Sequence, residues 1–251
     1  MISFVDPPRL PTIDLSLFDV GDPWRDHVAA QVDWAASTFG LFQILGHGVD
    51  PALIDTLLEL GEKYVALQGV GTGRGARVEL PGFHDTVREY ATSMTGLGHK
   101  LMTTMARGLR LADSFFVDRY SGNPVTALHI HDYPVLLSDG HSTAAASERA
   151  RGLLSIVKLG SSGGQQAQLA GRWVDIPAVP HALLCYVGPV LEQLTEGHYV
   201  SAVHRLRLAD SRPSLSFSFE PRADMVLTPV AGVAPRPGTA SAACYALEAR
   251  C

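Results

Sequence analysis

The spacing of apolar residues divides this chain of 251 residues into a helical first half and a β-rich second half. Val28, Val32, Ala35 and Ala36 recur at helical spacing and predict an amphipathic helix from Trp24 to Phe39. Pro11 to Leu15 before it has the character of a short apolar strand. Phe39 to Leu45 after it is aromatic and branched, and reads as a strand that ends at Gly46-His47-Gly48. Asp50 is a good N-cap, with Pro51 at the first helical position. The helix they open runs through Leu53, Leu57, Leu58 and Leu60 towards Leu67. A longer helix is expected from Phe83 to Leu111, with Met94, Leu97, Leu101, Met105 and Leu109 on one core-packing stripe. After Asp113 the pattern shortens to β-type runs separated by glycine, proline and aspartate. These are Leu128–Tyr133, Leu153–Leu159, Gln165–Leu169, Trp173–Ile176, Ala182–Val187, Val200–Leu206 and Ser214–Glu220. Many short strands at close spacing indicate a sandwich or barrel, with the helices buttressing one sheet face.

Composition narrows the function classes. The chain is 46% hydrophobic and 18% charged, enough apolar residue to fill a core. A formal charge of -5 argues against a nucleic-acid partner, which needs a basic patch, and gives no support for an anionic membrane surface. Cys185, Cys244 and Cys251 are sparse and odd in number, which suits free thiols in a reducing cytoplasm. Met1 to Leu10 carries Asp6 and two prolines where a signal peptide needs an apolar run, and no apolar stretch reaches the roughly 20 residues of a membrane span. The expectation is a soluble, cytoplasmic protein of one domain. In it, residues 1–126 form a mainly helical part packed on a barrel, 127–230 form the jelly-roll core with the site, and 231–251 form a tail. The glycine-rich run from Gly69 to Gly75 follows a helix rather than a strand, so it reads as a flexible connection and not as a phosphate loop. No serine lies in a nucleophile-elbow pattern.

An ordered set of segments resembles the isopenicillin N synthase-type iron(II)/2-oxoglutarate oxygenases. The set begins with Pro11-Thr12-Ile13-Asp14-Leu15, Phe39 to Ile44 with Gly46-His47-Gly48, and Leu80-Pro81-Gly82-Phe83. It continues through Leu128 to Pro134, Gly152 to Ile156, Gly163-Gly164 with Gln166, and Gly171 to Pro177. Gly188, Leu191-Glu192, Thr195, Gly197, Tyr199, Ser201, Val203, His204 and Arg205 follow, and Arg212-Pro213-Ser214, Phe217, Phe219 and Pro221 close it. The resemblance implies a mainly β fold with flanking α-helices, the double-stranded β-helix or jelly roll. It also implies iron(II) as metal, 2-oxoglutarate as co-substrate, and oxidation of a small-molecule substrate.

The family holds iron with His-x-Asp on one strand and a distant histidine on another, three ligands on one face that leave positions free. His204 matches the distant histidine, Arg212 and Ser214 match the clamp for the remote carboxylate of 2-oxoglutarate, and Tyr133 matches a tyrosine lining that pocket. The His-x-Asp itself is absent: aligned on Gly152-Leu153-Leu154, Glu148 stands at the histidine position and Ala150 at the aspartate position. Four readings stay open. In the first, Glu148, His131 and His204 form a rearranged iron site. In the second, Ala150 opens a coordination place for halide. In the third, the alignment shifts so that His141 becomes a ligand. In the fourth, the metal is lost, and the chain catalyses a non-redox step or serves as partner of an active relative. The segment between Leu67 and Leu80 is shorter than in the family, and Pro189 stands where aspartate is common. His129 shares a strand face with His131, His47 is expected to be structural, and His181 and His198 are expected to be solvated. A protein partner or a second copy of the chain is left open.

Overall fold

The computed structural model describes residues 10–69, 80–131, 148–160, 165–169, 171–206, 214–222 and 224–233. For residues 65, 68, 69, 131, 148, 149 and 206 it describes the backbone alone. Strand β1 (Thr12–Asp14) leads into a 3-10 turn over Leu15–Val20, which Asp14 caps by accepting the Ser16 N–H at 3.0 Å. Helix α1 (Trp24–Thr38) buries Val28, Val32, Ala35 and Ala36, the stripe expected from spacing. Strand β2 (Leu41–Leu45), helix α2 (Pro51–Gly69) and helix α3 (Phe83–Gly108) follow. The α3 stripe of Met94, Leu97, Leu101 and Met105 is fully core. A π-helical turn over Val117–Ser121 then precedes the β-rich part.

That part contains β3 (Val125–His131), β4 (Glu148–Arg149), β5 (Leu154–Lys158), β6 (Gln165–Leu169), β7 (Arg172–Asp175) and β8 (Leu183–Val187). Helix α4 (Pro189–Leu194), β9 (Val203–Leu206) and β10 (Ser214–Glu220) complete it. Two sheets form, in the orders β1-β2-β8-β5-β10-β3 and β4-β9-β6-β7. Pairing is antiparallel except between β1 and β2. The alternation of the two sheets along the chain is the jelly roll expected from the sequence. Pro189 begins α4 at its first position, where its lacking N–H costs nothing. The proline that departs from the common pattern therefore starts a helix.

Two hydrophobic clusters divide the strands by their period of two. One lies between the six-stranded sheet and the helices and contains Phe42, Ile44, Leu154, Ile156, Leu183, Cys185, Leu215, Phe217 and Phe219. The other lies between the two sheets and contains Leu41, Val157, Leu184 and Tyr186 from one sheet with Ala167 and Leu169 from the other. Arg107, near the end of α3, ties Asp22, Asp26 and Asp113 together, so the helical layer is pinned electrostatically as well as by packing.

Gly152 makes the turn from β4 into β5 with φ of +62°, and a Cβ there would come within 2.8 Å of the Phe219 carbonyl oxygen. Gly171 has φ of +77° but open space around its missing Cβ. The left-handed conformation alone costs a side chain about 1–2 kcal/mol. Gly171→Ala is therefore expected to lose about that much stability in urea unfolding. Gly152→Ala is expected to lose measurably more, because backbone, not a flexible side chain, stands in the way.

Candidate active site between the two sheets

His204 is reached through a fixed lead-in. The Thr195 hydroxyl donates to the Leu191 carbonyl at 2.8 Å and accepts the Tyr199 N–H at 3.2 Å. The buried Tyr199 hydroxyl donates to the Met105 carbonyl of α3 at 3.1 Å, and the Val200 N–H donates to the Ala36 carbonyl of α1 at 3.2 Å. His198 pairs with Asp33 of α1 at 2.9 Å, with both side chains 27% exposed. This corrects the expectation of a solvated His198: the approach of α1 to the segment before β9 half-buries it against a carboxylate.

On β9 the alternation separates roles. Arg205 lies over the Trp173 ring at 4.1 Å, and its Nε donates to Gln166 Oε1 at 2.8 Å, while Gln166 Nε2 donates to Asp175 at 2.7 Å. His204 takes the other face, opposite the buried Ala167 of β6. There its imidazole stacks on the Tyr186 ring of β8, with centroids 4.3 Å apart and planes at 28°. The Tyr186 hydroxyl donates to Gln165 Oε1 at 2.6 Å. Burial pushes the Tyr186 phenol far above its usual range, so it stays protonated. The sequence reading missed Tyr186 and Gln165. Their signal was a tyrosine inside an aliphatic strand and a glutamine opening another.

The register of β4 with β9 sets Glu148 opposite His204 and Arg149 opposite Val203. Position 148 thus shares the face of His204, and position 149 the reverse face. Ala150 is 4% exposed and packs in the cluster between the sheets. Arg151 is exposed; its N–H donates to the Ser155 hydroxyl at 3.1 Å, which holds the turn out of β4. Ser214 is buried on β10 and pairs in register with His131 of β3; Ser216 pairs with His129. His129 itself is exposed, on the face away from Leu128 and Ile130, which pack on the core.

The structure therefore brings Glu148 to His204 and Ser214 to His131 as register neighbours. Tyr133, Arg212, His141 and the segment between Gly69 and Leu80 lie outside the described residues. Among the described residues no three His, Cys, Asp or Glu side chains gather as a metal cluster. Among them, too, no helix is long and apolar enough to cross a membrane.

Two sequence-family matches fall on these elements. Residues 10–69 match the N-terminal region of the non-haem dioxygenase in morphine synthesis, and residues 113–221 match the 2OG-Fe(II) oxygenase superfamily. The chain belongs to the 2OG-Fe(II) oxygenase superfamily. It is 24% identical to a probable iron/ascorbate oxidoreductase of Dictyostelium discoideum, over 90% of this chain and 85% of that one. It is 21% identical to the 1-aminocyclopropane-1-carboxylate oxidase of Dictyostelium mucoroides, over 86% of this chain and 83% of that one. Among solved structures, a full-length Neurospora crassa protein in complex with alpha-KG superposes with a TM-score of 0.77 at 18% identity, over 93% of this chain and 92% of that one. A putative 2OG-Fe(II) oxygenase family protein from Caulobacter crescentus gives 0.76 at 20% identity, over 92% and 94%.

A second histidine of this oxygenase, His47, has a structural task. Its Nδ1 accepts the Val49 N–H at 3.1 Å, so Nε2 carries the proton and donates to the His181 carbonyl at 3.0 Å. Burial lowers its pKa below 6.5, with Lys158 and His181 adding to the effect against the His181 carbonyl bond. The neutral form is the folded form. Its stabilisation is complete above the unfolded value of 6.5 and is lost as pH falls from there towards the lower folded value. The urea midpoint is expected to drop between pH 7.5 and 5.5, and His47→Gln is expected to flatten that drop.

Proposed function

We propose that this oxygenase oxidises a small organic molecule with iron(II) and 2-oxoglutarate, and that His204 and Glu148 hold the metal with His131 as the third donor. The observation that carries the reading is the register of β4 and β9, which sets Glu148 opposite the inward-facing His204. Directly opposed residues of antiparallel strands have Cβ atoms about 4.5–5.5 Å apart, close enough for an imidazole and a carboxylate to meet one ion. Imidazole with carboxylate suits a first-row divalent cation such as iron(II). When bound, iron(II) with 2-oxoglutarate supplies oxidation of a carbon–hydrogen bond by dioxygen.

The chain's own residues do the rest. Ser214 offers a buried hydroxyl, and with Arg212 two residues earlier it would clamp the remote carboxylate of 2-oxoglutarate, while Tyr133 lines that pocket. Ala150, Val157, Ala167 and Ala202 keep the inner flank dry, which strengthens the attraction between charges at its edge. Arg151 is exposed, so its charge does not oppose a cation in the barrel. The relatives support a small-molecule substrate, since the proteins similar to this chain include 1-aminocyclopropane-1-carboxylate oxidases and a flavonol synthase.

One observation favours a second reading. Ala150, at the aligned aspartate position, gives a methyl group to an apolar cluster and no donor to a metal. A chain that has lost its metal could bind an anionic molecule, catalyse a non-redox step, or partner an active relative.

An anaerobic titration of metal-stripped protein with iron(II) and 2-oxoglutarate separates the two. A saturable visible charge-transfer band is expected for the unaltered chain. His204→Ala is expected to abolish it, and Glu148→Gln to weaken iron binding at least about tenfold, as loss of a supporting group at a metal site does. If the unaltered chain retains no iron and shows no band, the metal-free reading holds instead.

A further inference from the structure

Tyr186 is not among the residues that carry the family resemblance, yet it makes two contacts with the opposite sheet. It stands on β8 of the six-stranded sheet and crosses the gap to the other sheet twice. Its ring lies on the His204 imidazole of β9, and its hydroxyl donates to Gln165 Oε1 at the start of β6. Tyr186 is fully buried, and Gln165 nearly so. Because the phenol proton is committed to Gln165, the contact with His204 is ring on ring.

We propose that Tyr186 is the positioning residue of His204, and that Gln165 is the anchor that sets Tyr186. An imidazole on a strand can rotate about its last side-chain bond, whose preferences are broad. A flat aromatic wall at 4.3 Å removes the rotations that would tip the ring out of its plane. The electron-rich face of the phenol also favours an imidazole that carries partial positive charge, as one bound to a cation does. Groups that orient a metal-binding histidine without touching the metal commonly govern affinity about 10–100-fold. The proposal rests on the reading of His204 as a donor, and its test keeps the two apart.

Three variants share the work. Tyr186→Phe keeps the ring and drops the hydroxyl, Gln165→Leu removes the anchor, and Tyr186→Leu removes the wall. Cobalt(II) is the probe, read by its visible absorption and dissociation constant. The metal-free protein, labelled with nitrogen-15 at histidine, reports the imidazole environment, with His47 as internal reference because Val49 and His181 fix it elsewhere. Tyr186→Leu is expected to raise the cobalt dissociation constant about 10–100-fold and to shift the absorption. Tyr186→Phe and Gln165→Leu should fall between it and the unaltered chain. In the metal-free protein the His204 signals should broaden in Gln165→Leu and Tyr186→Phe while those of His47 stay put.

Unchanged cobalt affinity and unchanged His204 signals in Gln165→Leu and Tyr186→Phe would overturn the proposal, even if Tyr186→Leu fails to fold. Equal disturbance of His204 and His47 would overturn it too, by showing general loosening. If the unaltered chain binds no cobalt, His204 is not a metal donor, and the metal-free spectra alone decide whether Tyr186 orients it.

Discussion

The structure depends on strands that are buried on both faces. All five residues of β8 are buried, with Leu183, Cys185 and Val187 turned to the helices and Leu184 and Tyr186 turned to the second sheet. Such a strand has no solvent side to absorb an error. A slip of one residue would exchange every side chain between the two clusters. Cys185 would then enter the barrel, and Tyr186 would be driven into the packed layer against the helices. The same constraint acts on β5 and β10, where Ser155 and Ser214 share the barrel side while Ile156 and Leu215 pack on the helices. The polar groups of the barrel are therefore set by the register that fills the other core.

That register gives the candidate site two unlike halves. His204 belongs to the rigid half: its lead-in is bonded to α1 and α3, its strand to β6, and its ring to Tyr186. Glu148 belongs to a strand of two residues, held by β9 on one side and by the turn that Ser155 and Gly152 secure. On the proposed reading, one donor stands on a strand bonded on several sides and the other on a strand of two residues.

Local pattern made most of the fold legible. Gln165–Leu169 and Ser214–Glu220 coincide with β6 and β10, and the stripes of α1 and α3 lie in the core as their spacing requires. Of the site, His204 and Ser214 could be named from ordered resemblance, and both sit on the barrel side. Tyr186 and Gln165 could not, because their contact joins strands of different sheets, and only the stacking of those sheets makes them neighbours. The strand β4 itself was silent, since two residues have no period to detect, and Glu148 could be named only by counting back from Gly152-Leu153-Leu154. His198 looked like a loop histidine because Asp33, its partner, lies far away in sequence.

Charge placement gives the barrel its chemical bias. The guanidinium of Arg205 is drawn outward by Gln166 and Trp173, and Arg151 is in solvent. Lys158 ends β5 towards α2, where burial lowers its pKa against the pull of Asp55. Among the described residues, the hydrophobic cluster on the face of His204 is alanine, valine, leucine, isoleucine and a neutral phenol, and the buried polar groups beside it, Gln165, Ser155 and Ser214, are uncharged. On the proposed reading, the register of β4 adds a carboxylate to that face beside the imidazole. A carboxylate and an imidazole set side by side against an apolar cluster favour a shared proton or a bound cation. A divalent ion satisfies an imidazole nitrogen and a carboxylate oxygen together, which a single proton between them does only by neutralising the carboxylate or charging the imidazole. Read this way, replacing the family's aspartate by Ala150 keeps the electrostatic demand for a cation and moves it to Glu148, two residues earlier on the same side of the strand.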